Sequence, residues 1–194
     1  MYEYITGLLE QLNITEAIID NNGIGYKLQI SLNTYSSLQG LGEVKLFVHH
    51  IVREDDEQLY GFYTQYERTI FALLISVSGI GPNTARMMLS SMTPEEISEA
   101  IISENVTKIK SIKGIGVKTA QRVVIDLKDK LVKGASASDT AILSGNISKF
   151  EEAQTALTLL GFNKSAVEKV LHSIVKENKS ASLEELIKLA LKQL

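Results

Sequence analysis

The amino-acid sequence predicts a multidomain α+β chain: short strands first, a helical middle, and a separate three-helix domain at the end. Three observations carry that class. Over the first sixty residues apolar positions alternate with a period of two. From Thr64 the period lengthens to about 3.6. A small, polar stretch, "KGASASDTAILSGNIS", then interrupts the apolar pattern before three amphipathic segments. At 194 residues, 44% of them hydrophobic, the chain can bury a core and hold two or three small domains.

The strands come first. The runs "YEYITGLL", "TEAIID", "GYKLQIS", "EVKLFVHHIVR" and "EQLYGFY" are β-rich, and turn signals such as Asn22-Gly23 separate them. Five short strands with hairpin turns suggest a small barrel of the oligonucleotide-binding type, and a plain β-sandwich fits the same pattern. A "GIG" at Gly23 to Gly25 lies between two strands and reads as a hairpin turn. Tyr60 and Phe62, two apart on one face of a strand, fit the core better than a base-stacking platform.

Helix-start signals begin at Thr64. Thr64 and Glu67 spell a capping box ahead of "RTIFALLIS"; Thr93, Pro94 and Glu96 supply an N-cap, an N1 proline and a second box partner. Residues 134–147 read as a flexible linker. After it come amphipathic helices at roughly Lys149 to Leu160, Lys164 to Lys176 and Leu183 to Gln193; the first ends at Gly161, and a Ser182/Glu185 box opens the last. The expected domains are therefore 1–63, 64–133 and 148–194.

One motif occurs twice. "SGIGPNTARMML" (Ser78 to Leu89) returns thirty-five positions on as "KGIGVKTAQRVV" (Lys113 to Val124). The copies share Gly79/Gly114, Ile80/Ile115, Gly81/Gly116, Thr84/Thr119 and Ala85/Ala120. Glycines let the backbone turn sharply and leave no side chain over the peptide N–H groups. The helix that follows points its unpaired N–H groups and positive dipole end at the same place, which makes an anion site. Ile80 and Ile115 are expected to turn inward and pin each turn to its helices. One such turn grips a phosphate without reading sequence; two at fixed spacing can hold a duplex by its backbone.

Charge follows the repeat. The formal net charge is −3, but residues 1–63 carry three Lys/Arg against nine Asp/Glu, residues 64–133 ten against seven, and residues 134–194 seven against seven. Lys108, Lys110, Lys113, Lys118 and Arg122 surround the second copy, whereas the first has only Arg86 with the neutral donors Asn83 and Thr84.

Several chemistries are excluded or weak. Without cysteine there are no disulfides, thiolate zinc sites or cysteine nucleophiles. "GIGVKT" lacks the contiguous Gly-Lys-Thr of a Walker loop, and neither copy completes G-x-G-x-x-G after a strand in a βαβ unit. Two copies without the aromatic signature do not make a tetratricopeptide array. His49 and His50 are adjacent in a strand, so they face opposite sides and do not chelate together. No apolar run approaches a membrane span, and no signal peptide opens the chain, which points to the cytoplasm.

Paired helix-hairpin-helix motifs after a small barrel, the phrase "VREDDEQLYGF" at their junction, and a linked three-helix tail together resemble the RuvA family of bacterial Holliday-junction-binding subunits, over essentially the whole chain. The resemblance implies an N-terminal five-stranded OB-like barrel and a homotetramer, or an octamer, that holds a four-way DNA junction open. It implies a separate hexameric ATPase, RuvB, that pulls the arms through, the resolvase RuvC as a further partner, and roles in recombination, DNA repair and the SOS response. It assigns backbone DNA contacts to Gly79, Gly81, Gly114 and Gly116, side-chain contacts to Asn83, Thr84, Lys118, Thr119 and Arg122, and an acidic pin to Glu54 and Asp55. It places the motor contact in the third domain, where Leu157, Leu160 and Phe162 are candidates by position. No catalytic residue, cofactor or metal is implied. Relatives often carry lysine where this chain has Asn83 and Val117, which implies a weaker electrostatic grip at those positions.

Without the resemblance, "REDDE" (Arg53 to Glu57) reads as a solvated acidic loop. Two other classes remain open on the residues alone. A helix-hairpin-helix glycosylase or nuclease would use Asp126 or Asp129 as its acid, and a protein adaptor would show no salt-dependent binding to nucleic acid.

Overall fold

A computed structural model describes residues 2–143, 149–178 and 181–194 of the chain. Five strands, β1 (Tyr4–Asn13), β2 (Glu16–Asn21), β3 (Ile24–Ile30), β4 (Glu43–Val52) and β5 (Glu57–Phe62), close into a barrel in the order β1-β2-β3-β5-β4. Closure decides between the two β architectures that the strand pattern allowed. The β2–β3 turn places Asn22 and Gly23 at φ 52° and 86°, the paired left-handed residues of a tight hairpin, and Asp20 Oδ1 accepts from the Gly23 amide at 2.9 Å. Alternation sends Ala17, Ile19, Leu28, Ile30, Val44, Leu46 and Val48 inward, where they form the barrel core.

Between β3 and β4 lies a helix that the sequence reading missed, α1 (Leu32–Leu38), capped by the Ser31 hydroxyl accepting from the Thr34 amide. The helical middle follows: α2 (Gln65–Ile75), α3 (Pro82–Ser91), α4 (Pro94–Ile102), α5 (Val106–Lys110) and α6 (Val117–Leu143). Its core is continuous with the barrel wall. Tyr60 and Phe62 of β5 are buried against Phe71 of α2, with ring centroids 5.0 and 4.9 Å away, and the same cluster runs on to Leu131.

At the start of α2, Thr64 accepts from the Glu67 amide as a cap should. The Glu67 carboxylate does not fold back to complete a box. It is 3% exposed and takes hydroxyl hydrogen bonds from Ser31 and, at 2.7 Å, from Thr34 of α1. Burial pushes its pKa above the usual carboxylate value, and the two hydroxyls oppose that rise. The predicted box at α4 is complete, with Thr93 and Glu96 satisfying each other's backbone amides.

The chain divides into two compact units between Val132 and Lys133. Where composition suggests a linker from residue 134, the backbone keeps α6 helical to Leu143. Alanines and a lack of proline let the helix continue there despite Gly134. Residues 144–148 lie outside the described residues. The second unit contains α7 (Lys149–Leu159), α8 (Lys164–Glu177) and α9 (Leu183–Leu191) around Leu157, Val167, Leu171, Ile174 and Leu186. α7 ends in a Schellman turn: Gly161 has φ 98°, its amide donates to Thr158 O, and the Phe162 amide donates to Leu157 O. The Ser182/Glu185 box opens α9 as expected.

Candidate nucleic-acid interface

The two glycine turns are built alike. In the first, between α2 and α3, the Ile80 amide donates to Val77 O at 3.0 Å and the Ala85 amide to Gly81 O at 2.9 Å. In the second, between α5 and α6, the Ile115 amide donates to Ile112 O at 3.1 Å and the Ala120 amide to Gly116 O at 2.9 Å. Gly79 and Gly114 hold left-handed φ values of 95° and 87°. Ile80 and Ile115 turn into the core, 5% and 6% exposed, while Val77/Ile112 and Ala85/Ala120 are buried beside them. The repeat therefore encodes one backbone twice.

The second glycine of each turn has a different reason to be glycine. Gly81 sits at φ −89°, which any residue can adopt, and a Cβ built there would meet nothing within 4 Å. Gly116 likewise has open space and no left-handed φ. Neither the backbone nor the packing of the chain requires a hydrogen at these positions. What a Cβ would obstruct is an approach from outside, to the amides of a helix first turn. No side chain caps α3, so its first-turn donors are left without a capping side-chain acceptor.

The turns also touch each other. A Cβ on Gly114 would stand 3.3 Å from Met87 Cε, so the side chain from α3 rests against the second turn. Nothing in the sequence pattern marked Met87.

The side chains around the turns differ. Lys110, Lys113, Lys118 and Arg122 are exposed, and among the described residues none of the four is in an ion pair. Lys108 is half-buried and 4.0 Å from Glu96. Thr84 and Thr119 are half-buried, and Asn83 is exposed. Arg86, the expected cation of the first turn, is engaged elsewhere: its Nη1 donates to Thr15 O at 3.1 Å and to Gln29 Oε1 at 2.5 Å, both on the barrel.

Glu54 and Asp55 are exposed at the tip of the β4–β5 hairpin, where the Arg53 amide donates to Asp56 O at 2.8 Å. Gln58 donates to Asp56 at 2.5 Å and accepts from the Tyr60 hydroxyl at 2.6 Å, tying the acidic tip to the barrel wall. His49 and His50 diverge as the strand period requires. His49 packs on Phe71, and burial, reinforced by Arg68 and His50, lowers its pKa; His50 Nε2 contacts Glu57 at 2.7 Å. Among the described residues no group of three or more His, Cys, Asp or Glu could hold a metal ion. Asp126 and Asp129 are exposed on α6. No helix among the described residues is long and apolar enough to cross a membrane.

In the second unit the three partner candidates separate. Leu157 is fully buried in the core and presents nothing to a partner, because the period of α7 points it inward. Phe162 is half-buried against the same core. Leu160, past the end of the helix, is 64% exposed and stands beside Leu159, 83% exposed, which the sequence reading did not single out.

Comparison with known proteins covers nearly the whole chain. Residues 1–61 match the RuvA N terminal domain, 71–129 the SAM-like Helix-hairpin-helix tandem, and 148–194 the RuvA C-terminal domain. Full-length relatives include proteins of Bacteroides thetaiotaomicron (51% identical), Flavobacterium psychrophilum (50%) and Christiangramia forsetii (48%), each covered over 100% of both chains. Each of these relatives carries the name Holliday junction branch migration complex subunit RuvA.

Proposed function

The chain belongs to the RuvA family, and on that premise we propose that it binds four-way DNA junctions through phosphate contacts, holds them open, and recruits a separate ATPase of the RuvB type for branch migration. The observation that carries this reading is the pair of open glycine faces. Gly81 and Gly116 place no side chain over the two helix starts at matched positions, beside one turn rich in cations with no ion pair among the described residues. Each turn suits one or two backbone phosphates without sequence readout. Gly79 and Gly114 shape the turns, Thr84, Thr119 and Asn83 donate as neutral groups, and Lys118 and Arg122 supply countercharge. The work of moving DNA falls to the partner. Asp126 and Asp129, the acids that a glycosylase reading needs, stand exposed on α6 and give that reading no support.

The acidic tip fits the same proposal. Glu54 and Asp55 repel phosphate, so several copies arranged with their tips at a junction centre would keep strands apart at the crossover and direct them into the arms. A homotetramer gives that arrangement, and an octamer would close a second face over it. Leu159 and Leu160, exposed beside Gly161, are the better candidates for the motor contact, and Leu157 supports them from within.

The test is a competition titration of a labelled immobile four-way junction against linear duplex of equal length across a salt series. Preference for the junction is expected; equal binding would reduce the protein to a generic duplex-gripping module. Neutralising Glu54 and Asp55 together should tighten junction binding and alter branch migration. Unchanged affinity and migration would remove the pin role.

A further inference from the structure

We infer that Arg86 is a positioning residue that locks the first glycine turn to the barrel, and that it does not contact phosphate. Its place on α3, five residues after Gly81, makes it look like the cation of that turn. Its guanidinium instead reaches the barrel, donating to the Thr15 carbonyl and to Gln29 Oε1. The acceptor is itself held: Gln29 Nε2 donates to Glu16 Oε1 at 2.8 Å, and Glu16 pairs with Lys27 at 3.3 Å. A side chain fixed at both ends transmits position.

The lock does not stand alone. The Leu32 amide donates to Ser90 Oγ at 3.0 Å, and Asn33 Nδ2 donates to Leu89 O at 2.6 Å and Met92 O at 3.1 Å. α3 is thus fastened along its length to the barrel and to α1. Gln29 lies opposite Tyr60 in the short β3–β5 pairing that closes the barrel, and β5 descends directly from the acidic tip. Arg86 therefore sets where the first turn stands relative to Glu54 and Asp55. A linear duplex, which has no crossover, is indifferent to that distance; a four-way junction is not. This inference rests on the junction reading above.

The experiment uses the full chain with Arg86→Ala and, separately, Gln29→Met, which removes the acceptor and leaves the arginine charge in place. Junction and linear duplex are titrated across a salt series. Both variants should lose junction-over-duplex preference by a similar factor, about tenfold, the scale of one charge-assisted hydrogen bond. The slope of log K against log salt for duplex should match that of the parent. The lock is overturned if Arg86→Ala lowers that slope by about 0.9, the signature of one lost phosphate contact, while Gln29→Met keeps the parent's preference. Parental preference in both variants also overturns it. Should Arg86→Ala fail to fold, Gln29→Met decides alone by the same criterion. A parent protein without junction preference would sink the functional reading instead, and the duplex slope of Arg86→Ala would still decide between lock and phosphate contact.

Discussion

The two glycine turns share a backbone and differ in what surrounds it. Around the second, Lys110, Lys113, Lys118 and Arg122 are exposed and unpaired with acids among the described residues. Around the first, the one nearby cation is bound to the barrel, and Asn83 and Thr84 are neutral. Duplication of the motif has thus kept the backbone geometry and not the charge around it. One copy stands among exposed cations, while the cation of the other is held by the barrel. Met87, from the helix after the first turn, rests on Gly114 of the second.

The largest expected effect tests the charged side of that contrast. Lys118→Ala with Arg122→Ala should lower the salt slope of junction binding by about 1.8, two contacts at about 0.9 each. Asn83→Ala with Thr84→Ala should leave the slope unchanged, and equal slopes in the two double variants would erase the distinction. Next, Gly81→Ala and Gly116→Ala should each weaken binding by about tenfold, the scale of an obstructed amide contact. The melting temperature should hold, since both positions have room and ordinary φ. A fall in melting temperature without loss of affinity would mean that these glycines serve the fold. Gly79→Ala and Gly114→Ala provide the contrast: left-handed φ should cost about 1–2 kcal/mol of stability at each.

A gain-of-charge variant sharpens the comparison from the other side. Asn83→Lys should raise the salt slope by about 0.9 if a phosphate lies over the first turn, and an unchanged slope would place the backbone elsewhere. The smallest effect concerns Glu67, which holds the helix leading into the first turn. Its folded pKa is raised by burial, so the folded chain retains the proton better than the unfolded one. The stability it contributes is therefore greatest below the ordinary carboxylate pKa and declines as pH rises from there toward the folded value. Glu67→Gln should remove that decline in denaturation curves followed upward in pH from the ordinary carboxylate value; identical pH profiles for parent and variant would contradict the direction of the shift.

Much of the fold was legible because it is local. Alternation marked all five strands, Asn22-Gly23 marked a turn, and Thr93 and Ser182 announced helices whose boxes are complete. The inward turn of Ile80 and Ile115 followed from the place of each between two glycines. What escaped was long-range. Thr64 and Glu67 spell a capping box, yet the carboxylate bonds Ser31 and Thr34, more than thirty residues away, because the fold offers it buried hydroxyls there. Arg86 reads as a phosphate ligand by proximity, and only the folded barrel brings Gln29 to it. Leu157 and Leu160 look equivalent as letters, and the Schellman turn at Gly161 separates them into core and surface. Periodicity tells which face is wet; it does not name a polar partner from a distant segment.

The closed strand order has a consequence for how copies of the chain can meet. An open sheet ends in unpaired backbone groups that invite another strand, and crowding such edges together risks fusing them into a continuous ladder. Here the short parallel seam at Gln29–Ile30 and Tyr60–Gly61 leaves the sheet without a first or last strand. Neighbouring barrels therefore meet without a terminal strand to extend. Copies brought together at high density thus lack the end strand through which sheets fuse into a continuous ladder.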